Sequence, residues 1–395
     1  MPLGEIAREF GTPCFVYSQQ SIEAAYGEVA AGLKGRDALV CYSVKANSNL
    51  AVLSLLARLG AGFDIVSGGE LTRVMAAGGD PRRTLFSGVG KSKAELRFAL
   101  DRDIGCINLE SEPELHNVAT VAGHAGKKAR VAFRVNPDID PKTHPYISTG
   151  LRETKFGVPH ADAERLYQAA KKLKNVEVVG IGCHIGSMLQ EAAPFVAAAE
   201  RLVALVDRLE AAGIGLQHID FGGGIGIRYK DEAPQPAAKF ISEALRTVGQ
   251  RPHKVIFDPG RAIVGNAGVL LTRVEYMKPR FLVVDAGMND LIRPALYGAW
   301  HEVRTVKQSA GGEALYDIVG PVCESADFLA KGRSLSAKEG DLLAVMSCGA
   351  YAMVMSSNYN TRPRAPEVLV AGNSTYLVRR REEVHELFAG ERIPG

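Results

Sequence analysis

Residues 38–66 read ALVCYSVKANSNLAVLSLLARLGAGFDIV, and the order of patterns within this stretch predicts the fold. An apolar run at 38–43 is followed by a Leu- and Ala-rich run with helical spacing at 49–59, and then by a second apolar run at 61–66. A strand, a helix and a strand in this order indicate parallel strands, because a parallel pair requires a crossover connection.

The same alternation continues to about residue 260 and predicts eight strands. They are Ala38–Ser43, Ala61–Val66, Thr84–Ser87, Ile104–Leu109, Ala129–Val135, Val176–His184, Gln217–Phe221 and Lys254–Phe257. Helical patterns separate most of them, at Asn49–Leu59, Gly69–Ala77, Ala94–Asp101, Glu112–Gly123, Ala161–Lys172, Pro194–Ala212 and Pro236–Val248. Eight such units predict an α/β fold of the (β/α)8 TIM-barrel type, and an open, doubly wound sheet is the alternative.

The pattern changes after Arg261 and indicates a second, mainly β domain of the barrel or sandwich type. Its predicted strands are separated by Gly, Pro and Asn, and they are Val269–Tyr276, Phe281–Asp285, Ala314–Val319, Asp341–Met346 and Glu367–Val370. A strand-like segment, Cys14–Tyr17, precedes the predicted barrel and could pair with that domain. We therefore predict a barrel domain at 25–262 and a discontinuous β domain at 1–24 and 263–395.

Composition excludes several classes of protein. The 47 Lys and Arg nearly balance the 44 Asp and Glu, and no basic run occurs, so we expect no nucleic-acid partner. No apolar stretch reaches the roughly 18–20 residues that span a bilayer, and charged residues interrupt the N-terminus where a signal peptide would be apolar. The six scattered cysteines read as free thiols, so we expect a cytoplasmic enzyme without a membrane partner.

Polar and glycine residues collect after the predicted strands, at the end where such barrels place their active sites. Lys45 directly follows the first strand, and an amine at a buried strand end can acquire the depressed pKa that suits Schiff-base chemistry. Gly222, Gly223 and Gly224 follow the seventh strand, where unblocked backbone amides can hold a phosphate. The alternatives are a lysine that extends to solvent and a tight turn that needs positive φ.

Two further candidates follow the sixth and eighth strands. Asp258, ahead of Gly260 and Arg261, could keep the nitrogen of a pyridine ring protonated, and the alternative is a turn or helix-cap aspartate. His184 could stack on such a ring, or it could be a hydrogen-bonded histidine of the core. No His or Cys cluster has the spacing of metal ligands, so we predict no metal site.

In the β domain, charged and thiol groups form a second set of candidates. Arg293, like Arg261, is a candidate fork for a carboxylate, and the alternative for each is a solvated surface charge. Cys323 and Glu324 place a thiol beside a carboxylate, although Cys323 could equally be a small packing residue.

Several segments, in their order along the chain, carry a resemblance to a known family. They are Tyr42–Asn47, His144–Gly150, Lys155–Gly157, Asp220–Gly224, Asn289–Tyr297, Gly320–Asp327 and Gly349–Tyr351. Over nearly its whole length the chain resembles the diaminopimelate decarboxylases, a branch of the group-IV, alanine-racemase-like pyridoxal 5'-phosphate (PLP) decarboxylases. The resemblance implies a homodimer with shared active sites. It also implies conversion of a diamino diacid, meso-2,6-diaminopimelate, to L-lysine and CO2, the last step of lysine biosynthesis.

The resemblance also implies a role for each candidate residue. Lys45 would carry PLP covalently, His184 would stack on its ring, and Cys323 would donate a proton, reaching in from the partner subunit. The implied cofactor contacts are Lys45, His184, Ser187, Gly223, Gly224, Asp258, Gly260, Arg261 and Tyr351. The implied substrate contacts are Arg261, Arg293, Tyr297, Glu324 and Tyr351.

One position departs from the family pattern and keeps other functions open. The family usually has Glu where this chain has Asp258, and the shorter side chain puts the rate of turnover in question. The alternatives are a PLP decarboxylase for another substrate, of the D-ornithine or D-lysine type or a carrier-bound glutamyl group, a PLP racemase, and a non-catalytic homologue. A carboxylate at position 258 argues against the racemase, whose ring nitrogen generally faces an arginine.

Overall fold

The computed structural model describes residues 2–139, 155–307 and 312–395. Its strands are β1 (Cys14–Ser18), β2 (Ala38–Ser43), β3 (Gly62–Ile65), β4 (Thr84–Phe86), β5 (Cys106–Leu109), β6 (Ala129–Asn136), β7 (Val158–Pro159), β8 (Val176–Gly182), β9 (His218–Asp220), β10 (Lys254–Phe257), β11 (Gly268–Met277), β12 (Phe281–Val284), β13 (Val303–Thr305), β14 (Ala314–Val319), β15 (Phe328–Leu335), β16 (Leu342–Val345), β17 (Glu367–Ala371) and β18 (Ser374–Arg379). Its α-helices are α1 (Leu3–Phe10), α2 (Gln19–Gly32), α3 (Leu50–Arg58), α4 (Gly68–Ala76), α5 (Lys93–Asp101), α6 (Glu112–His124), α7 (Ala163–Lys171), α8 (Ala193–Ala211), α9 (Ala237–Val248), α10 (Arg261–Val264) and α11 (Arg293–Tyr297).

The chain divides into two compact units. The barrel unit comprises Ala24–Ile227 and Ala233–Ala262, and the β unit comprises Met1–Glu23, Arg228–Glu232 and Ile263–Gly395. Within the ranges that the structure describes, no helix combines the length and the apolar character needed to cross a membrane.

Eight parallel strands close the barrel. Their order is β5-β4-β3-β2-β10-β9-β8-β6, and the pairing of β5 with β6 completes the ring. The TIM-barrel prediction is therefore confirmed, and the open doubly wound sheet is wrong. The strand bounds agree with the predicted ones to within two residues, because each strand is a short, nearly continuous buried run.

Side-chain caps explain where the barrel helices begin. Asn49 and Ser67 accept hydrogen bonds from the second or third backbone N–H of α3 and α4, which otherwise lacks an intrahelical partner. Ser92 forms a capping box with Glu95 at the start of α5. The helix α2 was not predicted, and its C-terminal half lies against α9.

The β unit is built around a nine-stranded sheet in which β1 is central. Strand β1 runs antiparallel to β11 and parallel to β17, so the pairing expected for Cys14–Tyr17 is present. The sheet also contains β13, β15 and β18, which the sequence pattern did not predict. Strand β13 is short, β18 is largely exposed, and β15 carries Lys331, Gly332 and Arg333 in its middle. None of them therefore shows the alternating apolar pattern of a half-buried strand.

Candidate active site

Lys45 lies at the carboxyl end of the first barrel strand, in a single 3-10 turn that follows β2. Its Nζ is 3.7 Å from Oδ2 of Asp64, a carboxylate that is only 1% exposed. Ser87 donates a hydrogen bond to the same carboxylate at 2.6 Å, and the hydroxyl oxygen of Ser43 lies 3.3 Å from it. The Ser87 hydroxyl holds the Asp64 carboxylate in place beside the lysine amine.

The glycine turn (Gly222–Gly224) follows β9 and permits a packing that no side chain would allow. Gly222 and Gly224 have φ of 76° and 90°, in the left-handed region that favours glycine. A Cβ on Gly223 would lie 2.5 Å from the carbonyl oxygen of Asp258, and one on Gly224 would overlap the carbonyl oxygen of Gly186. Glycine is therefore needed in this turn for two reasons: its positive φ and the close approach of neighbouring backbone. As a result, backbone atoms line the turn.

His184 is held as a neutral ring by the glycine turn. Its Nδ1 is 3.3 Å from the backbone N–H of Gly223, which can only donate, so Nδ1 carries no proton and Nε2 does. Burial, helped by the charges of Arg134 and Lys45, holds the pKa of His184 well below its usual range. His184 is therefore not an ion-pair partner for Asp258, although its Nδ1 is 3.8 Å from Oδ1 of that residue.

Asp258 has a fixed backbone and a buried oxygen without a hydrogen-bond partner. Its N–H donates to the carbonyl of Gly222 at 2.9 Å, and its carbonyl accepts from the hydroxyl of Ser43 at 2.8 Å. Its Oδ1 is buried and accepts no hydrogen bond within the described part of the chain. A buried acceptor of this kind is costly unless a bound group donates to it.

Buried carboxylates dominate the electrostatics of this end of the barrel. Burial raises the pKa of Asp258 well above its usual value, and the neighbouring charges of Asp220 and Asp64 raise it further. Burial also raises the pKa of Asp220, although the Gly222 N–H that donates to its Oδ1 at 2.9 Å opposes this. Neither Asp64 nor Asp220 was assigned a role from the sequence. The available signal was a carboxylate inside an otherwise apolar strand.

Gly260, Arg261 and Ser187 complete the barrel part of the site. A Cβ on Gly260 would lie 2.9 Å from the Cβ of Ala46, so the glycine lets the turn after β10 approach the segment that carries Lys45. Arg261 is 8% exposed, and its Nη2 donates to the hydroxyl of Ser187 at 3.4 Å. The structure thus brings the predicted barrel residues together at the carboxyl ends of the strands.

Arg134 and Glu110 also lie at the carboxyl ends of the barrel strands, and neither was assigned a role from the sequence. Arg134 pairs with Oε1 of Glu110 at 3.4 Å and donates to the carbonyl of His184 at 3.5 Å. Oε2 of Glu110 accepts from the N–H of Gly157 at 2.6 Å. These contacts link the ends of neighbouring strands and orient the backbone of His184. The segment His144–Gly150 lies outside the described residues.

The remaining predicted residues belong to the β unit. Arg293 is 7% exposed and its Nη1 is 2.9 Å from Nε2 of His301, while Tyr297 is half-buried at the end of the same helix, α11. Cys323 and Glu324 are both exposed, and the N–H of Cys323 donates to the side chain of Asn360 at 2.8 Å. Tyr351 is half-buried and has a positive φ of 54°, which is uncommon for a bulky residue and is found at functional sites.

A closed parallel barrel with a lysine after its first strand and a glycine turn after its seventh has the groups that a PLP-dependent enzyme requires. Residues 19–265 match the family model described as "Pyridoxal-dependent decarboxylase, pyridoxal binding domain", so the chain belongs to that family. The diaminopimelate decarboxylase of Pseudomonas aeruginosa is 56% identical and covers 99% of this chain and 95% of its own length. The Vibrio cholerae enzyme of that name is 53% identical, with 100% and 95% covered.

Solved structures give the same result. Diaminopimelate decarboxylase from Helicobacter pylori, complexed with L-lysine, has a TM-score of 0.95 and 41% identity over 98% of each chain. Diaminopimelate decarboxylase from "m. jannaschii", in co-complex with L-lysine, has a TM-score of 0.94 and 36% identity over 99% of this chain and 94% of its own. Within the pyridoxal-dependent decarboxylases, the chain belongs to the diaminopimelate decarboxylases.

The residues at the barrel end fit the PLP cofactor of this family. The unpartnered oxygen of Asp258 is an acceptor suited to a protonated ring nitrogen. In the glycine turn the N–H groups of Gly222 and Gly223 donate to Asp220 and His184, so Gly224 together with Arg261, at the start of α10, could hold a phosphate. The amine of Lys45 lies 3.7 Å from Asp64, and the lysine side chain is partly exposed, so the amine is accessible to a cofactor.

Proposed function

We propose that this chain removes CO2 from meso-2,6-diaminopimelate and releases L-lysine, with PLP as cofactor. The observation that carries the proposal is the buried, unpartnered carboxylate oxygen of Asp258 beside the glycine turn. A carboxylate here keeps a ring nitrogen protonated, which favours loss of CO2 over racemisation. The L-lysine bound to two structural relatives is the product that this reaction would release.

Each barrel residue is proposed to hold one part of the cofactor. Lys45 binds it covalently through Nζ, and the neutral ring of His184 packs on its face. The backbone of Gly223, Gly224 and Gly260 holds the phosphate end, together with Arg261 and Ser187. This division follows from chemistry, because amides and a guanidinium bind phosphate, whereas a carboxylate pairs with a protonated ring nitrogen.

The chain's own residues then move the protons of the reaction. Bound PLP supplies an electron sink for the electron pair that decarboxylation leaves behind. Asp258 holds a proton at the ring nitrogen, and the surrounding burial excludes water that would screen this charge. The thiol of Cys323 donates a proton to the substrate carbon that has lost CO2. The amine of Lys45 would hold the cofactor covalently when neither substrate nor product is bound.

Residues of the β unit are proposed to recognise the part of the substrate that does not react. The distal end of diaminopimelate is an amino acid with its own carboxylate and ammonium. Arg293 and Arg261 suit the carboxylate, Glu324 suits the ammonium, and Tyr297 and Tyr351 add hydroxyls. Such a site discriminates against D-ornithine and D-lysine, since those substrates have no distal carboxylate for the arginines to bind.

The arrangement of domains and subunits is also part of the proposal. We propose a PLP-binding barrel domain at 25–262 and a β domain formed by 1–24 and 263–395. Two copies of the chain would share active sites, with Cys323 and Glu324 reaching the partner's site, which suits their exposure in the single chain. The six cysteines are free, in keeping with a cytoplasmic location.

The direct test is CO2 release from meso-diaminopimelate, measured beside D-ornithine, D-lysine and a racemisation assay with alanine. We expect release from diaminopimelate to exceed release from the other substrates by orders of magnitude. The Lys45→Ala variant should lose both activity and the visible absorbance of covalently bound cofactor. Comparable CO2 release from D-lysine, or racemisation without CO2 release, would replace the proposed substrate or reaction by that alternative.

A further inference from the structure

A buried histidine lies directly behind Arg293 in the β unit. His301 has no solvent exposure, and its Nε2 is 2.9 Å from Nη1 of Arg293. Its Nδ1 is 2.8 Å from the carbonyl oxygen of Met346. Each ring nitrogen therefore has a hydrogen-bond partner, and for each partner it is known whether it donates or accepts.

These partners fix the tautomer of His301. The Met346 carbonyl can only accept, so Nδ1 carries the proton and donates it. A guanidinium can only donate, so Nε2 must present its lone pair to Arg293. His301 is consequently neutral, because a protonated ring would have no acceptor for Arg293 and would place two positive charges 2.9 Å apart.

An aromatic ring restricts the same guanidinium from another direction. The ring centroid of Tyr229 is 4.7 Å from Cζ of Arg293, a cation–π distance. The Tyr229 and His301 rings meet edge to face at 5.3 Å and 79°. Because His301 binds one nitrogen and Tyr229 contacts the group through its ring, the guanidinium is held in one orientation rather than left to sample several.

A buried thiol completes the cluster without adding charge. Sγ of Cys348 is 3.8 Å from Nδ1 of His301 and donates to the same Met346 carbonyl at 3.5 Å. Burial raises the pKa of Cys348 to about 12, so the thiol stays protonated at neutral pH. His301 and Cys348 are thus both uncharged beside the Arg293 cation, and Arg333 donates to the carbonyl of His301 at 2.9 Å.

We propose that His301 is a positioning residue for substrate recognition: it holds the Arg293 guanidinium in the orientation that binds the distal carboxylate. This rests on the proposed function, which places Arg293 on that carboxylate. A pre-oriented arginine gains affinity because less side-chain freedom is lost when the ligand binds. His301 itself touches Arg293 and not the substrate.

L-lysine and cadaverine separate this role from general stability. L-lysine carries the amino-acid end that Arg293 would bind, whereas cadaverine has amines at both ends and no carboxylate. In the holoenzyme, the His301→Asn variant should raise the Kd for L-lysine about tenfold or more and change the Kd for cadaverine less than about twofold. Both constants are read from the cofactor absorbance as each ligand is added, so the readout does not depend on turnover.

Paired variants isolate the acceptor atom. Asn at position 301 can donate to the Met346 carbonyl near the position of Nδ1, but it has no acceptor near Nε2. Gln at the same position extends its amide oxygen to the region of Nε2, so His301→Gln should recover most of the L-lysine affinity. His253→Asn is the matched control, because His253 is equally buried and bonded to Glu210 at 2.9 Å, within the barrel unit.

Each result of this experiment decides for or against the role. Selective loss of L-lysine affinity in His301→Asn, with recovery in His301→Gln, supports positioning. Equal weakening of both ligands, or unchanged L-lysine affinity in a folded His301→Asn protein, overturns it. If the wild-type enzyme releases no CO2 from diaminopimelate but shows the selective loss, the proposed function fails while the inference about Arg293 stands.

Discussion

The Asp258→Asn substitution should slow decarboxylation and, at the same time, stabilise the PLP-free protein. Asn has nearly the same shape as Asp but cannot carry the negative charge that holds a proton at the ring nitrogen. Loss of one buried electrostatic group at a reacting centre typically reduces kcat by about 10²–10³-fold. The backbone hydrogen bonds of residue 258 to Gly222 and Ser43 remain, so the turn should keep its conformation.

The stability gain follows from the raised pKa of Asp258. Burial and the charges of Asp220 and Asp64 raise this pKa in the folded state, so the folded protein binds the proton more tightly than the unfolded chain does. The free energy of unfolding then falls as pH rises from the pKa of Asp258 in the unfolded chain, about 4, to its higher pKa in the folded protein. The total loss is about 1.4 kcal/mol for each unit by which the two pKa values differ. Asn removes this loss, and its advantage should grow between pH 5 and pH 8.

Two measurements on the same preparations test this. CO2 release with saturating PLP gives kcat, and thermal unfolding of the PLP-free protein at pH 5 and pH 8 gives relative stability. Asp258→Glu is the control: it keeps the carboxylate found elsewhere in the family, so it should retain activity and gain no stability. An Asn variant with kcat within threefold of wild type, or with a lower melting temperature at pH 8, would refute the reasoning.

Three further substitutions test other parts of the site and fold. Cys323→Ala should slow the protonation step about 10²–10⁴-fold in single-turnover kinetics while L-lysine affinity changes little; an unchanged rate removes the thiol from that role. Gly224→Ala adds a Cβ that overlaps a backbone oxygen at φ 90°, so the Kd for PLP should rise at least about tenfold, whereas unaltered cofactor affinity would dissociate the turn from the phosphate. Lys91→Met leaves the Glu114 carboxylate buried without its cation and should cost about 3–5 kcal/mol in chemical unfolding. Lys127→Met, from an exposed pair, is the control at under about 1 kcal/mol, and similar values for both would contradict the argument.

The barrel could be predicted from the sequence because its signals are local. Strands such as β2 and β10 are short apolar runs, and helices α3 and α4 start at Asn and Ser caps that are visible in the sequence. In the β unit the same reasoning found the buried strands but missed β13, β15 and β18. Their residues are partly exposed, and cross-strand hydrogen bonds to β16, β14 and β17, which leave little trace in composition, decide that they pair.

The sequence by itself determined the residues at the strand ends, such as Lys45 and the glycine turn, because a parallel barrel brings all those ends to one side. Only the tertiary structure decided which groups control them. Asp64 lies beside Lys45 and is held by the hydroxyl of Ser87, and His301 is fixed by a carbonyl 45 residues away. Protonation, tautomer and orientation depend on burial and on partners distant in the chain, and these are properties of the packed molecule that no local pattern contains.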